Sequence, residues 1–200
     1  MQTGILGGTF DPPHLGHLAL AAAARDQLGL DRVLWVPAAD PPHKQDLHIS
    51  PVADRLAMVQ AAIAGDPSYA LSRVDVDRPG PHFTADTVAL LGRQFPADEF
   101  LFVMGGDSLR DLPTWGRPEA IVAHTRLGVL RRPGDLVDLD ALEAVLPGVT
   151  DRVTFILAPP LTVSAHAIRA RVRAGRSIAG LVPPEVAEII RQRGLYRPRA

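Results

Sequence analysis

The stretch GILGGTFDPPHLGHLALAAAARDQL, residues 4–28, decides the fold. Its first residues belong to a short apolar run, Gln2 to Leu6, that predicts a buried strand ending in the glycine pair Gly7-Gly8. A proline-containing turn follows, and the Ala/Leu-rich segment from Leu15 to Leu28 predicts a helix that stops at Gly29. Backbone N–H groups at a glycine turn and at a helix N-terminus attract anions. The stretch therefore predicts a strand, an anion-binding loop and a helix.

Two histidines, His14 and His17, stand three residues apart at the start of that helix, so they face the same way. Imidazole N–H groups can donate to phosphate oxygens and stabilise the charge that develops in phosphoryl transfer. An isolated HxxH also suits two surface histidines, or two metal ligands that would need a third. The neighbouring glycines and Thr9 favour phosphate. The sequence has no GxxxxGK[ST], and this region has no GxGxxG.

Beyond this stretch, apolar segments alternate with helical ones, which predicts an α/β fold with a doubly wound, mostly parallel sheet. A second glycine pair, Gly105-Gly106, ends another apolar run, and we expect the two strands with glycine pairs to be neighbours beside the ligand crevice. We expect one domain, residues 1–200, with a C-terminal helical portion from about residue 164.

The further strands are predicted at Arg32–Val36, Tyr69–Val76, Glu99–Met104, Arg126–Leu130 and Val153–Leu157. The further helices are predicted from Ser50-Pro51 to about Ala64, from Ala85 to about Phe95 with Thr84 as the cap, from Ser108, at Pro118–His124 and Leu139–Leu146, from Ser164 to Gly175, and from Pro183-Pro184 to about Gly194.

Composition excludes several classes of protein. The chain has no cysteine, so disulfides, thiol catalysis and thiolate metal sites are excluded. The net charge of −1 does not suggest a general nucleic-acid or membrane-surface binder. No apolar run is long enough to span a membrane, and the first residues do not form a signal peptide, so we expect a cytoplasmic protein. The basic side chains are 20 arginines and one lysine, Lys44, whose point charge in a loop suits a phosphate as well as solvent.

These residues carry a resemblance. The segment GGTFDPPHLGH, residues 7–17, resembles the signature of the nucleotidylyltransferase superfamily with the HxGH motif. Later segments resemble, in order, those of the bacterial nicotinate-mononucleotide adenylyltransferases, which implies a Rossmann-like nucleotidylyltransferase fold over nearly the whole chain. They are PPHK at 41–44, RPGP at 78–81 with Thr84 and Asp86-Thr87, GGDS at 105–108 with Trp115, Ser164 with Ile168-Arg169, and the ending VPPEVAEIIRQRGLY at 182–196.

The resemblance implies roles for particular residues. The residues implied in catalysis supply positive charge to the phosphates: His14, His17, Lys44 and Arg169. The residues implied in ATP binding are Gly7, Gly8, Thr9, Phe10, Gly16, Gly106, Asp107, Ser164 and His166. The residues implied in binding the second substrate, with Trp115 stacking on its ring, are His43, Phe83, Thr84, Trp115 and Gly116. His82-Phe83 replaces the family's Ser-Tyr, and Ala165-His166 replaces a hydroxyl pair, so we expect His166 to donate to phosphate in place of a threonine.

The implied reaction is adenylyl transfer from ATP to nicotinate mononucleotide, giving deamido-NAD and pyrophosphate. Mg²⁺ is expected to arrive with ATP, with no metal site assigned to protein side chains. The alternatives are an adenylyltransferase for nicotinamide mononucleotide or phosphopantetheine, and a non-catalytic nucleotide sensor on the same fold. The expected partners are the two small-molecule substrates, with no nucleic acid and no membrane, and homo-oligomerisation is left open. Lys44 is the only lysine, so a KMSKS motif is absent and an aminoacyl-tRNA synthetase is excluded.

Overall fold

Six parallel strands form one sheet in the computed structural model, which describes residues 1–39, 49–131, 137–158 and 163–198. The strand order is β3-β2-β1-β4-β5-β6, with every neighbouring pair parallel. The strands are β1 (Gln2–Gly8), β2 (Arg32–Pro37), β3 (Tyr69–Leu71), β4 (Glu99–Gly105), β5 (Arg126–Leu130) and β6 (Val153–Ile156). The order reverses between β1 and β4, and ligands bind at such a switch point, outside the carboxyl ends of the strands. The predicted doubly wound sheet, and the pairing of the two strands with glycine pairs, are confirmed.

Helices cover both faces of the sheet because the strands are apolar on both sides. The helices in the described residues are α1 (Leu15–Leu28), α2 (Val52–Ile63), α3 (Thr84–Gln94), α4 (Gly106–Asp111), α5 (Pro118–His124), α6 (Leu139–Val145), α7 (Ala165–Arg173) and α8 (Pro184–Gln192). One core packs α3, α5 and α6 against side chains such as Ile5 and Phe102. The other core packs α1 and α2 against the opposite side chains, such as Leu6 and Trp35.

The last two helices pack on the outside of α2. Ile168 of α7 and Val186 and Ile190 of α8 form a third apolar cluster with Met58 of α2. Ser164 accepts a hydrogen bond from the backbone N–H of Ala167, which confirms it as the N-cap of α7. This cluster holds residues 163–198 beside the start of α1.

The structure corrects three details of the sequence prediction. The strand expected over residues 69–76 ends at Leu71, because the backbone N–H groups of Val76 and Asp77 bond back to the carbonyl of Arg73 and form a turn. Ser50 does not cap α2, since Pro51 occupies the N-cap position. Thr84 does not cap α3 either, since Phe83 occupies that position and Thr84 is the first helical residue.

Candidate active site

A cavity of about 410 Å³ opens at the carboxyl ends of β1 and β4. It is a single space that extends from the glycine-containing loop after β1 to the turn before α3 and to the segment after α4. Nine residues predicted for the site lie in its wall, namely Gly7, Gly8, Thr9, His17, Phe83, Thr84, Asp107, Trp115 and Gly116. The structure therefore brings both halves of the predicted site to one cavity.

The two histidines form a stacked pair at the start of α1. Their ring centroids are 3.7 Å apart with an interplanar angle of 21°, and His14 lies buried behind His17. The backbone N–H of His14 donates to Nδ1 of His17 over 3.2 Å. Because Nδ1 accepts, the neutral ring carries its proton on Nε2. His17 therefore reaches the cavity wall with Nε2 as the nitrogen that can donate to a phosphate oxygen.

Phe10 also contacts the His17 ring of this pair. Its ring is buried and meets the His17 ring edge-on, with centroids 5.0 Å apart. Its backbone is in the left-handed region, with φ of 49°. Phe10 does not line the cavity, so it contributes to the site through the position of His17.

A buried arginine that sequence reasoning missed holds the same loop. The side chain of Arg55, on α2, is 1 % exposed and donates to four backbone carbonyls. One of these belongs to Thr9, at 2.9 Å, and two others belong to Ala38 and Ala39 after β2, at 2.7 and 2.9 Å. Arg55 thus ties together the loops that follow β1 and β2. An arginine inside an apolar helical pattern was the only sequence signal for it.

Asp11 is a second buried group that sequence reasoning missed. Its carboxylate accepts the hydroxyl of Tyr196 at 2.7 Å and the backbone N–H of Ser50 at 3.2 Å. Its backbone carbonyl accepts Nη1 of Arg169 at 2.7 Å. Arg169, predicted to bind phosphate, is therefore anchored to the turn between the glycine pair and the histidines.

Aromatic side chains form the far end of the cavity. The Trp115 ring meets Phe102 edge-on, with centroids 6.0 Å apart. Gly116 lies against the ring of Phe83, where a Cβ at residue 116 would come within 2.5 Å of Phe83 Cδ1. A larger residue at 116 would therefore displace Phe83 from the cavity wall.

The turn before α3 is fixed by Asp75 and Arg78, which sequence reasoning did not assign to the site. Arg78 donates to the Asp75 carboxylate at 2.9 Å and to the carbonyl of Pro81 at 3.0 Å. Thr87 of α3 donates its hydroxyl to the same carboxylate at 2.7 Å. His82 lines the cavity beside this network, and its Nε2 donates to the carbonyl of Arg78 at 3.2 Å. These bonds position Phe83 and Thr84 at the start of α3.

The remaining predicted residues lie around the cavity or outside the described part of the chain. Asp107 is exposed in the first turn of α4, which begins at Gly106, two residues before the predicted start at Ser108. Gly105 rather than Gly106 reaches the cavity wall. Gly16 lies against the His14 ring. Ser164 and His166 lie at the exposed start of α7 and do not line the cavity, and His43 and Lys44 fall outside the described residues.

The described residues of the cavity wall fit a Mg²⁺ ion that is carried by substrate phosphates. Within the described part of the chain, no three His, Asp or Glu side chains cluster closely enough to hold a metal. Asp107 offers one exposed carboxylate at the cavity. Mg²⁺ in nucleotide sites keeps several waters and uses one or two carboxylates together with substrate phosphates.

Comparison with known proteins assigns the family. The sequence profile of the cytidylyltransferase-like family matches residues 5–171. A protein of Thermomicrobium roseum is 49 % identical over 98 % of this chain and 92 % of its own, and one of Thermus thermophilus is 42 % identical over 98 % and 100 %. Both carry the name "Probable nicotinate-nucleotide adenylyltransferase". The chain belongs to the nicotinate-nucleotide adenylyltransferase family.

Solved structures of this family share the fold. The nicotinic acid mononucleotide adenylyltransferase of Plasmodium falciparum, complexed with NaAD, superimposes with a TM-score of 0.80 at 18 % identity, covering 98 % of this chain and 97 % of that one. The same protein complexed with APC gives a TM-score of 0.77. Among the described residues of this chain, no helix is long and apolar enough to cross a membrane.

Proposed function

We propose that the chain transfers the adenylyl group of ATP to nicotinate mononucleotide and releases pyrophosphate and deamido-NAD. One observation carries this proposal: the same cavity contains His17 and the glycine loop, which suit phosphate, and Trp115 and Phe83, which suit an aromatic ring. Two nucleotides can meet there with their phosphates near the histidines. Family membership supports the same reaction.

The reaction needs no nucleophile from the protein. A phosphate oxygen of the mononucleotide attacks the α-phosphorus of ATP, and the bond from that phosphorus to the oxygen bridging to the β-phosphorus breaks. Pyrophosphate leaves with the electron pair. Catalysis then rests on positioning and on stabilising negative charge. The Nε2–H of His17, as a hydrogen-bond donor, and the guanidinium of Arg169, as a positive charge, stabilise that negative charge. His14, which fixes the ring of His17, and Lys44 complete the proposed set.

We infer the preference for nicotinate over nicotinamide mononucleotide from the N-terminus of α3. Thr84, the first residue of this helix, lines the cavity beside Phe83 and Trp115. The positive end of a helix dipole favours a carboxylate over a neutral amide. We therefore infer that the nicotinate ring lies against Trp115 with its carboxylate towards the backbone N–H groups at the start of α3.

Mg²⁺ is proposed to enter with ATP and to be met by Asp107, an exposed carboxylate in the cavity wall. When bound, it would neutralise phosphate charge. We propose Gly7, Gly8, Thr9, Phe10, Gly16, Gly106, Ser164 and His166 as the remaining contributors to the ATP site, and His43 and Gly116 as contributors to the mononucleotide site. We place the reaction in the cytoplasm, where ATP is abundant.

The test is a comparison of kcat/KM for nicotinate mononucleotide, nicotinamide mononucleotide and phosphopantetheine, each with ATP and Mg²⁺. Release of pyrophosphate with nicotinate mononucleotide as the best acceptor supports the proposal. A higher kcat/KM for either other acceptor would reassign the substrate. ATP binding without pyrophosphate release would indicate a nucleotide sensor.

Replacement of His17 by alanine tests the catalytic role of its Nε2–H. We expect kcat to fall about 10²- to 10³-fold, or about 3–4 kcal/mol, because a donor to the developing charge is lost. Steady-state kinetics at saturating substrates measure this. The matched control is His124→Ala, at an exposed histidine on α5, which should leave kcat unchanged. A loss below about tenfold for His17→Ala would show that another residue carries this role.

A further inference from the structure

Three separate points of the C-terminal portion, residues 163–198, hold the turn between Phe10 and Leu15. Arg169 of α7 donates to the carbonyl of Asp11 at 2.7 Å. The carbonyl of Leu181 accepts the backbone N–H of Leu15 at 3.0 Å. Tyr196, after α8, donates its hydroxyl to Oδ1 of Asp11 at 2.7 Å. The loop that contains the first histidine and leads to the second is therefore held by residues at least 158 positions away along the chain.

The Tyr196 hydroxyl is a buried donor to the Asp11 carboxylate. Burial, first of all, and the nearby negative charge of Asp11 raise the pKa of its hydroxyl, so it remains a protonated donor at neutral pH. The other oxygen of the Asp11 carboxylate accepts the N–H of Ser50 at 3.2 Å. Both oxygens of a buried carboxylate are thus satisfied, and removal of either donor would leave one without its partner. Tyr196 does not line the cavity.

The turn needs such support because its backbone is strained. Phe10, the residue before Asp11, has a φ of 49°, in the left-handed region that non-glycine residues seldom adopt. A residue in this region persists only when its surroundings fix it. The Phe10 ring in turn supports His17. A loosened Asp11 would therefore release Phe10, His17 and the anchor of Arg169 together.

We propose that Tyr196 is a positioning residue for ATP: through its hydrogen bond to Asp11 it holds the Phe10–Leu15 turn and Arg169 in the arrangement that binds the triphosphate. This inference rests on the proposed function, since it takes ATP as the ligand of that turn. It assigns the C-terminal portion a part in nucleotide binding without direct contact to the nucleotide.

The test is Tyr196→Phe, which removes the hydroxyl and keeps the ring. We expect the Kd for Mg·ATP, measured by calorimetry without the second substrate, to rise about tenfold. The KM for ATP should rise with it, while the KM for nicotinate mononucleotide should stay within twofold, because Trp115 and Phe83 are not attached to this network. Thermal unfolding checks that the variant is folded.

The matched control is Arg193→Gln, which breaks the 2.6 Å ion pair between Arg193 and Asp54 and loosens the same C-terminal segment without touching Asp11. Its Kd for Mg·ATP should stay within twofold of wild type. Wild-type affinity in Tyr196→Phe, or an equal loss in Arg193→Gln, would overturn the inference.

If Tyr196→Phe does not fold, Asp11→Asn is measured instead and should show the same selective loss of ATP affinity. Wild-type ATP affinity in Asp11→Asn would then overturn the inference. A wild-type protein that binds ATP but releases no pyrophosphate would refute the proposed reaction and leave this test intact.

Discussion

At the scale of single residues, Arg55 shows how a buried charge can organise a loop. Burial lowers the pKa of its guanidinium, and the charge of Asp11 opposes that shift, so the side chain stays charged at neutral pH. Its partners are backbone carbonyls of three separate loop segments. Carbonyls at these turns have no neighbouring strand to bond, and the planar fork of arginine reaches several of them at once.

Replacement of Arg55 by lysine should lower the free energy of unfolding by about 2–4 kcal/mol, because one ammonium group cannot reach all four carbonyls and buried acceptors are left without donors. Urea denaturation measures this. The control is Arg73→Lys, at an exposed ion pair with Asp77, for which a change within about 0.5 kcal/mol is expected. Equal effects at both positions would show that the Arg55 hydrogen bonds contribute no more than a surface pair.

At the scale of elements, two glycines have opposite effects on stability, one at the end of α1 and one inside α3. Gly29 ends α1 with φ of 63° and donates its N–H to the carbonyl of Arg25. Gly92 lies inside α3, where a Cβ would meet nothing within 4 Å. The first glycine supplies a conformation that L-residues avoid, and the second only weakens a helix.

The same change at the two sites should therefore have opposite signs. Gly29→Ala is expected to destabilise the fold by about 1–2 kcal/mol, and Gly92→Ala is expected to stabilise it by about 0.5–1 kcal/mol. Each variant is the control for the other, and thermal or urea unfolding gives both values. A loss of stability in Gly92→Ala would mean that helix propensity does not decide the effect in α3.

At the scale of the whole molecule, Asp98 joins the amino ends of three central strands. It accepts the hydroxyl of Thr3 in β1 at 2.6 Å and the guanidinium of Arg32 in β2 at 2.7 Å, and it directly precedes β4. The hydrogen bond from Thr3, followed by the contact with Arg32, holds the pKa of the Asp98 carboxyl below its usual range. The ionised carboxylate therefore stabilises the centre of the sheet.

This lowered pKa predicts a loss of stability in acid. The contribution of Asp98 is fully present above its unfolded pKa of 3.8 and disappears as the pH falls through the lower folded value. Asp98→Asn should cost about 1–3 kcal/mol at pH 7 and should flatten the decline of stability below about pH 4. Urea unfolding between pH 7 and pH 2.5 tests this. Asp77→Asn, at the exposed pair with Arg73, should keep the wild-type slope, and an unchanged slope in Asp98→Asn would contradict the assignment.

Much of the architecture follows from local sequence alone. Apolar runs that end in glycine pairs, and the helix after His14, predicted β1, α1 and β4 in their places, and alternation of strands and helices predicted the parallel sheet. Local patterns suffice here because periodicity and helix ends depend on residues within one or two turns. They were less reliable at β3, where a turn from Arg73 shortened the strand, and at the caps before Val52 and Thr84.

Only the tertiary structure decided what holds the site together. Tyr196 and Asp11 are 185 residues apart, and Arg55 and Thr9 are 46 apart. No periodicity or spacing pairs such residues, because each is selected by the packing of α2, α7 and α8 around the loop. The candidate residues for the ATP site could thus be proposed from the sequence. The buried donors that position them appear only when the chain is folded, because an unpaired buried carboxylate or carbonyl must find its partner in space, not along the chain.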